Sequence, residues 1–395
     1  MNNSILTKEE LFYSPRETAQ IFFSKDSVEP EMTPFESAYL CGIIKKYKPQ
    51  KIVEIGVAAG ATTAVIMQCI KDIGYDTKCE IYSVDLFKDY YRNESGDTKL
   101  TGFLADEYIE HNEFRKIKYQ KLHGKLLCEV LDQIGSEIDF VVLDTVHQLP
   151  GEVLDFLCIL PYVSNLCHVV LHDVTLSLDL KCQVRDCFPS LLCFVASSSL
   201  CKQIPFFDNN NESVPNIASL ELNRDTVKYV DELFTSFLFP WSYLPSEDEI
   251  SKYSKFYSKF YSPDLVKVFT AGYKANKKWI LNYNKNKWDV LADKLISRLG
   301  ASDRQVSIYG AGDFCNSLIN KLKLRDIYIQ RIFVTELSEQ TIQNLVIDYH
   351  PLEFSDKYVK DGEVIMVASI GSAFEIRNYI NSKISSTKKV KIINL

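Results

Sequence analysis

Short apolar runs alternate along the first half of the chain with segments whose apolar residues recur at helical spacing. Such runs are typical of strands buried on both faces, and a spacing of three or four residues is typical of helices. Strands that alternate with helices predict a doubly wound α/β domain, in which helices cover both faces of a parallel sheet. The predicted helices are 34–47, 62–73, 103–111, 126–134 and 153–160, and the predicted strands are 51–55, 80–84, 116–122, 138–143 and 168–171.

A short repeat follows in the middle of the chain. The sequence Ser-Lys-Phe-Tyr occurs twice in succession over residues 254–261. On a helix, this period places Phe256 beside Phe260 and Tyr257 beside Tyr261. The pattern predicts an amphipathic helix that packs on a neighbouring element or on a second subunit. An aromatic platform for a substrate is the alternative interpretation.

A second and shorter α/β pattern begins near residue 304, and it is long enough for a small Rossmann-like domain. We therefore predict three parts of the chain. The doubly wound domain covers 1–205, a mainly helical linker that binds substrate or forms an oligomer covers 206–302, and the small Rossmann-like domain covers 303–395. The elements predicted for the last part are strands 305–309, 327–334, 363–368 and 390–394 and helices 313–324 and 373–382.

Composition and charge restrict the class of protein. Hydrophobic residues at 46% and charged residues at 25% are typical of a soluble globular protein. A net charge of -7 argues against a protein that binds nucleic acid or anionic membranes, since such proteins usually carry an excess of basic residues. The most apolar region, 153–174, contains Asp155, Pro161 and His168 and is too interrupted to span a membrane. The eleven cysteines include no Cys-x-x-Cys pair, which favours buried, reduced thiols in a cytoplasmic protein.

A glycine loop lies between the first predicted strand and the helix after it. In the stretch Val-Glu-Ile-Gly-Val-Ala-Ala-Gly-Ala-Thr-Thr, over 53–63, Gly56 permits a tight turn and Gly60 permits a close approach to a ligand. The stretch lacks the Gly-Lys-Thr of a phosphate loop and the Gly-x-Gly-x-x-Gly spacing of a dinucleotide loop. Glu54 would repel a pyrophosphate and attract a cation. Asp85, at the end of the second strand, can accept both hydroxyls of a ribose.

These residues fit a cofactor with an ammonium group, a ribose and no phosphate, such as S-adenosylmethionine; a plain turn without a ligand is the alternative. Glu54-x-Gly56-x-x-x-Gly60, followed by Asp85, resembles the first two motifs of class I S-adenosylmethionine-dependent methyltransferases. The resemblance covers roughly residues 30–200 and is greatest to the small-molecule O-methyltransferases that include macrolide-sugar, rhamnosyl and cephalosporin-pathway enzymes. It implies a cofactor site in which the methionine part contacts Glu54, Gly56 and Gly60, the ribose contacts Asp85, and the adenine lies near Gly124.

The same resemblance raises the question of a metal ion. Members of this branch often place one acid after the fourth strand and an acidic pair after the fifth strand, and these acids together hold Mg²⁺. The corresponding residues here are Asp144 and the pair His172 and Asp173. Since Mg²⁺ prefers oxygen ligands, the histidine departs from the pattern and also suits a softer divalent ion such as Mn²⁺.

A metal-free site fits the same residues. His147, three positions after Asp144, would then accept the proton of a substrate hydroxyl, because a neutral imidazole is a competent base near pH 7. The candidate catalytic residues are therefore Asp144, His147 and Asp173, with or without a divalent ion. In a third interpretation, the two acids cap helices and His147 and His172 only pack in the core.

A second glycine loop, Gly310-Ala-Gly312, follows the first strand of the C-terminal part. It lacks the third glycine of a dinucleotide loop, and only Glu336 offers an acid near the end of the next strand. The segment resembles small Rossmann-like modules of nucleotide-sugar and surface-polysaccharide enzymes, including the C-terminal part of some sugar C-methyltransferases. This resemblance implies a structural module or a sugar-nucleotide site at Gly310 and Gly312; an NAD site is the alternative.

The leading hypothesis is a cytoplasmic methyltransferase that transfers a methyl group from S-adenosylmethionine to a hydroxyl of a sugar or sugar-derived small molecule, in surface glycan synthesis. An NAD-dependent oxidoreductase that acts on a nucleotide sugar is one alternative, but it leaves Glu54 and Asp85 unexplained. A non-catalytic binding or scaffold protein that retains the fold is another. No nucleic-acid partner and no membrane span are expected, and a homo-oligomer would form through the aromatic helical region.

Overall fold

A computed structural model of the protein describes residues 12–14, 32–93, 98–112, 117–178, 187–205, 216–335, 351–369 and 373–394. The chain divides into two compact units, Met1–Lys277 and Lys278–Leu395. The division into three parts, with boundaries near residues 205 and 302, stays a prediction. Within the described ranges, no helix is both long and apolar enough to cross a membrane.

The first unit alternates helices with strands, as the apolar pattern predicts. Its helices are α1 (Pro34–Tyr47), α2 (Ala61–Asp72), α3 (Phe103–Asn112), α4 (Leu127–Ile134), α5 (Gly151–Ile159), α6 (Pro189–Ala196), α7 (Asp231–Thr235) and α8 (Glu247–Phe260). Its strands are β1 (Lys51–Ile55), β2 (Glu80–Asp85), β3 (Lys118–His123), β4 (Ile138–Leu143), β5 (Val163–His172), β6 (Cys201–Gln203) and β7 (Ile217–Leu222). The long helix α9 (Pro263–Ile296) contains the boundary with the second unit.

The seven strands form one sheet in the order β3-β2-β1-β4-β5-β7-β6. Strands β1 to β5 run parallel, whereas β7 pairs antiparallel with both β5 and β6. The strand order changes direction between β1 and β4, and in open α/β sheets this is the place where ligands bind. The doubly wound α/β fold is therefore confirmed. Strands β6 and β7 are additions that the apolar pattern did not predict.

Local sequence explains how the elements around β1 begin. Thr33 and Glu36 form a capping box at the start of α1, since each side chain accepts a hydrogen bond from the backbone N–H of the other residue. Strand β1 is buried over four of its five residues, which accounts for its apolar run. Helix α2 begins after Gly60, whose φ of 89° lies in the left-handed region.

The repeated Ser-Lys-Phe-Tyr segment lies on α8 and just beyond it. The ring centroids of Phe256 and Phe260 are 4.9 Å apart, and those of Tyr257 and Tyr261 are 5.8 Å apart, as the four-residue period predicts. Tyr257 is fully buried, and its hydroxyl donates to the backbone oxygen of Leu154 on α5 at 2.9 Å. The predicted packing of this helix on a neighbouring element is confirmed. A contact with a second subunit stays a prediction.

The second unit contains a five-stranded parallel sheet in the order β10-β9-β8-β11-β12. The end of α9 and α10 cover one face of this sheet, and α11 covers the other. This arrangement confirms the predicted small Rossmann-like fold. The elements are β8 (Gln305–Tyr309), α10 (Asp313–Lys323), β9 (Tyr328–Val334), β10 (Leu352–Glu353), β11 (Val364–Val367), α11 (Ala373–Lys383) and β12 (Lys391–Ile393).

Candidate functional site

Three loops of the first unit meet at the carboxyl ends of β1, β4 and β5. Gly56 follows β1, Asp144 follows β4 and Asp173 follows β5. Gly56 has a φ of 84°, and a Cβ added there would lie 1.7 Å from the backbone oxygen of Asp144. A side chain at this position would therefore collide with backbone as well as strain its own conformation. The glycine is needed for the approach of the β1 loop to the β4 loop.

Glu54 is a buried carboxyl beneath the glycine loop. The residue is 1% exposed, and its Oε2 accepts a hydrogen bond from the Thr63 hydroxyl at 2.5 Å. Burial raises the pKa of Glu54 to about 8; the Thr63 hydrogen bond opposes this rise, and the charges of Asp144 and Asp85 add to it. Its Oε1 has no hydrogen-bond partner within the described part of the chain. A buried oxygen of this kind is suited to a donor from a ligand.

Asp85 holds the glycine loop directly. Its Oδ2 accepts hydrogen bonds from the N–H groups of Val57 at 2.9 Å and Ala58 at 3.3 Å, and its Oδ1 accepts one from Phe87 at 2.8 Å. A carboxylate has about four acceptor positions, so these bonds leave about one for a further donor, such as a ribose hydroxyl. A third backbone N–H of the loop, that of Gly56, donates to the backbone oxygen of Val84 on β2 at 2.9 Å.

The predicted cofactor site has two other glycines, Gly60 at the end of this loop and Gly124 after β3. A Cβ added at Gly60 would lie 2.8 Å from the Cα of Gly102, so the loop also approaches the backbone before α3 closely. Gly124, after β3, donates its N–H to the backbone oxygen of Asp85 at 2.9 Å. The structure therefore brings Glu54, Gly60, Asp85 and Gly124 to one edge of the sheet, and their cofactor contacts stay predictions.

His147 lies among three carboxylates in the loop after β4. Its Nδ1 is 2.8 Å from Oδ2 of Asp173 and 3.3 Å from Oε1 of Glu152, and its Nε2 is 3.7 Å from Oδ1 of Asp144. Although Nδ1 is close to these oxygens, it has no hydrogen bond of acceptable geometry to any described residue. The His147 side chain is 33% exposed, whereas those of Asp144 and Asp173 are 13% and 10% exposed. A substrate can therefore reach the imidazole more easily than the acids.

The carboxylates change the protonation of this imidazole. Burial lowers the pKa of His147, but the contacts with Asp173 and Glu152 and the charge of Asp144 outweigh burial and raise the pKa to about 11. Burial raises the pKa of Asp173, but His147 and His172 outweigh it and hold that pKa well below its usual range. With these neighbours His147 is an imidazolium at pH 7, whereas the sequence led us to expect a neutral one. It could accept a proton only if a cation offset the carboxylates.

His172, at the end of β5, is buried between Asp144, Asp173 and Glu36. Its Nδ1 is 3.3 Å from Oδ2 of Asp144 and 3.5 Å from Oδ2 of Asp173, and its Nε2 is 3.5 Å from Oε2 of Glu36. Burial lowers the pKa of His172, but these carboxylates outweigh it and raise the pKa well above its usual value. Both ring nitrogens lack hydrogen-bond geometry to the described residues.

A metal ion fits one set of these side chains. Asp144, His147 and Asp173 can each place one ligand atom within 4.8 Å of the other two. This set differs from the predicted metal set, Asp144, His172 and Asp173, in the histidine that it uses. Two carboxylates and an imidazole suit a divalent ion that accepts both oxygen and nitrogen ligands. The metal itself stays a prediction.

Three polar residues of the site were not predicted from the sequence. Asn216, just before β7, donates its side-chain amide to Asp173 and its N–H to Oε1 of Glu36 at 3.1 Å. Glu152, on α5, is fully buried beside His147. Glu36 and Glu152 left a weak signal, because each is an acid in the first turn of a helix that is mainly apolar. Asn216 left none, since its position depends on the pairing of β7 with β5.

The glycine loop of the second unit is simpler. A Cβ added at Gly310 would lie 2.9 Å from the backbone oxygen of Ala368, whereas a Cβ added at Gly312 would meet nothing within 4 Å. At the carboxyl ends of β8 and β9, the hydroxyls of Tyr309 and Thr335 are hydrogen-bonded to each other at 2.8 Å. Glu336 lies outside the described residues. A nucleotide site at Gly310 and Gly312 stays a prediction.

Comparisons with known proteins concern the first unit. Residues 53–174 match a family model described as a methyltransferase domain. The matched segment runs from within β1 to just past β5 and includes the cluster around His147, and it covers less than half of the chain. A search of curated proteins finds no match to the chain.

Several solved structures of methyltransferases are similar to part of the chain. TomG of Streptomyces achromogenes, in complex with S-adenosylmethionine, is 15% identical with a TM-score of 0.37, over 56% of this chain and 92% of TomG. The O-methyltransferase of Bacillus cereus, in complex with S-adenosylhomocysteine, is 14% identical with a TM-score of 0.35, over 55% and 93% of the two chains. PaMTH1 of Podospora anserina, also bound to S-adenosylhomocysteine, is 14% identical with a TM-score of 0.36, over 53% and 87%.

Proposed function

We propose that the first unit transfers a methyl group from S-adenosylmethionine to a hydroxyl oxygen of a small molecule. The observation that carries the proposal is the cluster of Asp144, His147 and Asp173 at the carboxyl edge of a sheet whose sequence matches a methyltransferase domain. In open α/β sheets this edge is where ligands bind, and here it combines a glycine loop with two acids and a histidine.

The surroundings of the glycine loop support S-adenosylmethionine as the cofactor. Glu54 offers a buried oxygen without a hydrogen-bond partner in the described residues, which suits the ammonium group of the methionine part. Asp85 has about one acceptor position left for a ribose hydroxyl. Gly124 follows β3 beside Asp85, and we assign it to the adenine side of the cofactor.

The reaction needs little covalent chemistry from the protein. The acceptor oxygen attacks the methyl carbon, the bond from that carbon to sulfur breaks, and the sulfonium becomes the neutral thioether of S-adenosylhomocysteine. The acceptor's proton must leave to a base. In-line positioning and removal of this proton supply most of the rate, so the protein's task is to orient the hydroxyl and hold the proton acceptor. We assign these tasks to Asp144, His147 and Asp173.

A divalent ion, Mg²⁺ or Mn²⁺, belongs to the proposal. Asp144 and Asp173 would hold it together with His147 or His172. The fit is supported by ring nitrogens of both histidines that face carboxylates without hydrogen-bond geometry. When bound, such an ion lowers the pKa of a hydroxyl that it contacts. The mixture of oxygen and nitrogen ligands favours Mn²⁺ over Mg²⁺.

The proposal also includes the acceptor and the cellular setting of the reaction. A sugar or sugar-derived acceptor, used in surface glycan synthesis in the cytoplasm, is supported by the sequence resemblance described above. A homo-oligomer formed through the aromatic helical region is supported by the exposed ring of Phe260 at the end of α8, which is 42% exposed.

Calorimetric titration with S-adenosylhomocysteine tests the cofactor. We expect binding to the wild type, binding weakened about tenfold or more in Asp85→Asn because a charged acceptor is lost, and unchanged binding in Asp313→Asn, beside the other glycine loop. Absence of binding to the wild type would overturn the proposal. Binding of NAD that is weakened by Gly312→Ala would instead favour the oxidoreductase. Rates of methyl transfer with and without EDTA then test the ion.

A further inference from the structure

We propose that Glu152 is a positioning residue that fixes His147 in the site. The inference rests on the proposed function for its chemical meaning, because His147 is placed there as a proton acceptor or a metal ligand. Its structural content, that one buried carboxylate holds both the backbone and the ring of His147, stands on contacts within the chain.

The first observation is a double contact made by one oxygen. Oε1 of Glu152 accepts a hydrogen bond from the backbone N–H of His147 at 2.5 Å and lies 3.3 Å from Nδ1 of the same residue. Glu152 is fully buried on the first turn of α5. A buried carboxylate that accepts a backbone N–H forms a short, charge-assisted hydrogen bond, which is stronger than a neutral one.

The second observation is the backbone of His147. Its φ of 55° lies in the left-handed region, which a residue with a side chain adopts at a cost of about 1–2 kcal/mol. Such a conformation persists only when its surroundings enforce it. The bond from the His147 N–H to Glu152 is the enforcing contact, and it turns the imidazole toward Asp144 and Asp173.

The third observation concerns the other oxygen of Glu152. Oε2 is buried and has no hydrogen-bond partner among the described residues. A purely structural helix residue would be expected to satisfy both of its oxygens or to be apolar. The arrangement instead places a buried carboxylate beside a histidine of the candidate site, where it can fix the orientation of the ring.

Amide hydrogen exchange and NMR of the histidine rings test the inference on the full chain. In Glu152→Ala we expect exchange at the His147 amide to accelerate about 10- to 100-fold, the factor for loss of a hydrogen bond to a charged group, and the His147 ring signals to move. Glu152→Gln retains an acceptor oxygen, so it should restore the protection of the amide.

Tyr257→Phe is the matched control, since it removes a buried hydrogen bond onto α5 without touching His147. It should leave the amide and ring signals of His147 unchanged. Equal changes at His147 in Glu152→Ala and Tyr257→Phe would overturn the inference, as would an unchanged His147 in Glu152→Ala. S-adenosylhomocysteine titrated into the same samples keeps the two proposals apart. Failure of the wild type to bind it overturns the function, while the His147 signals still decide the role of Glu152.

Discussion

The five parallel strands of each unit follow the same order, but the two units place different side chains at the ends of these strands. In each unit a glycine after the first strand lies against the chain after the fourth strand: Gly56 against Asp144, and Gly310 against Ala368. The neighbouring strand ends in Asp85 in the first unit and leads into Thr335 in the second. The fold therefore supplies the crevice in both units, whereas the chemistry depends on a few residues at corresponding positions.

Charge balance separates the two units as well. The first unit gathers four carboxylates around two histidines, and Glu54 lies buried beneath them. The second unit buries Glu363, but it pairs this acid with Arg331 at 3.2 Å and with the N–H of Lys360 at 2.7 Å. A surplus of buried acid is typical of a site that binds a cation, whereas a paired acid is typical of a structural contact.

The largest effect is expected at the fourth strand. Asp144→Asn should lower the rate of methyl transfer about 10²- to 10⁴-fold, because it removes one carboxylate from either a metal site or a proton-transfer site. The formation of S-adenosylhomocysteine measures the rate. Ala368→Ser, at the corresponding position of the second unit, should leave the rate unchanged. A rate in Asp144→Asn close to that of wild type would remove the cluster from the reaction.

The two glycine loops should differ next in stability. Gly56→Ala combines a positive φ with a collision against the backbone oxygen of Asp144, so it should lower the free energy of unfolding of the first unit by about 2–4 kcal/mol. Gly312→Ala places a methyl group in open space on an extended backbone with a φ of -120°, and it should stabilise the second unit by about 0.4–1 kcal/mol.

Hydrogen exchange read separately for peptides of each unit is the appropriate measurement, since two units need not unfold together. Equal effects of the two substitutions would mean that the β1 loop can move away from β4. The close approach of these loops would then be no requirement of the site.

The sequence predicted the sheet much better than the site. Strands 51–55 and 138–143 were predicted with their observed ends, because a run of apolar residues and its buried position are the same physical fact. Strand β7 was missed, since its pairing with β5 joins segments far apart in the chain. Helix α9 was missed as one element because lysines and asparagines interrupt its apolar spacing.

In the candidate site too, contacts that join distant segments of the chain could not be predicted for single residues. Asp144, His147 and Asp173 could be predicted because each follows a strand whose end was recognisable, and parallel strands end at one edge. The contact of Glu152 with the backbone of His147 could not be predicted, since it depends on the left-handed turn at His147. The protonation of His147 was equally inaccessible, because it is set by the distances to three carboxylates from different elements.

The last comparison concerns one buried glutamate in each unit. The folded-state pKa of Glu54 is raised from an ordinary value of 4.5 to about 8, so the carboxyl ionises more easily in the unfolded chain. The stability that it contributes is fully present below pH 4.5 and is lost as the pH rises through about 8. Glu54→Gln should remove this loss and stabilise the first unit at pH 8 by roughly 2–4 kcal/mol relative to wild type.

Glu363→Gln is the counterpart in the second unit. Arg331 loses its charged partner there, so the substitution should destabilise that unit by about 1–3 kcal/mol. Hydrogen exchange of each unit at pH 5 and pH 8 measures both variants. If Glu54→Gln followed Glu363→Gln and destabilised its unit at pH 8, Glu54 would have to be ionised and paired in the folded protein. Glu54 would then not differ from Glu363, and the distinction between an acid available to a cation and an acid paired for structure would be wrong.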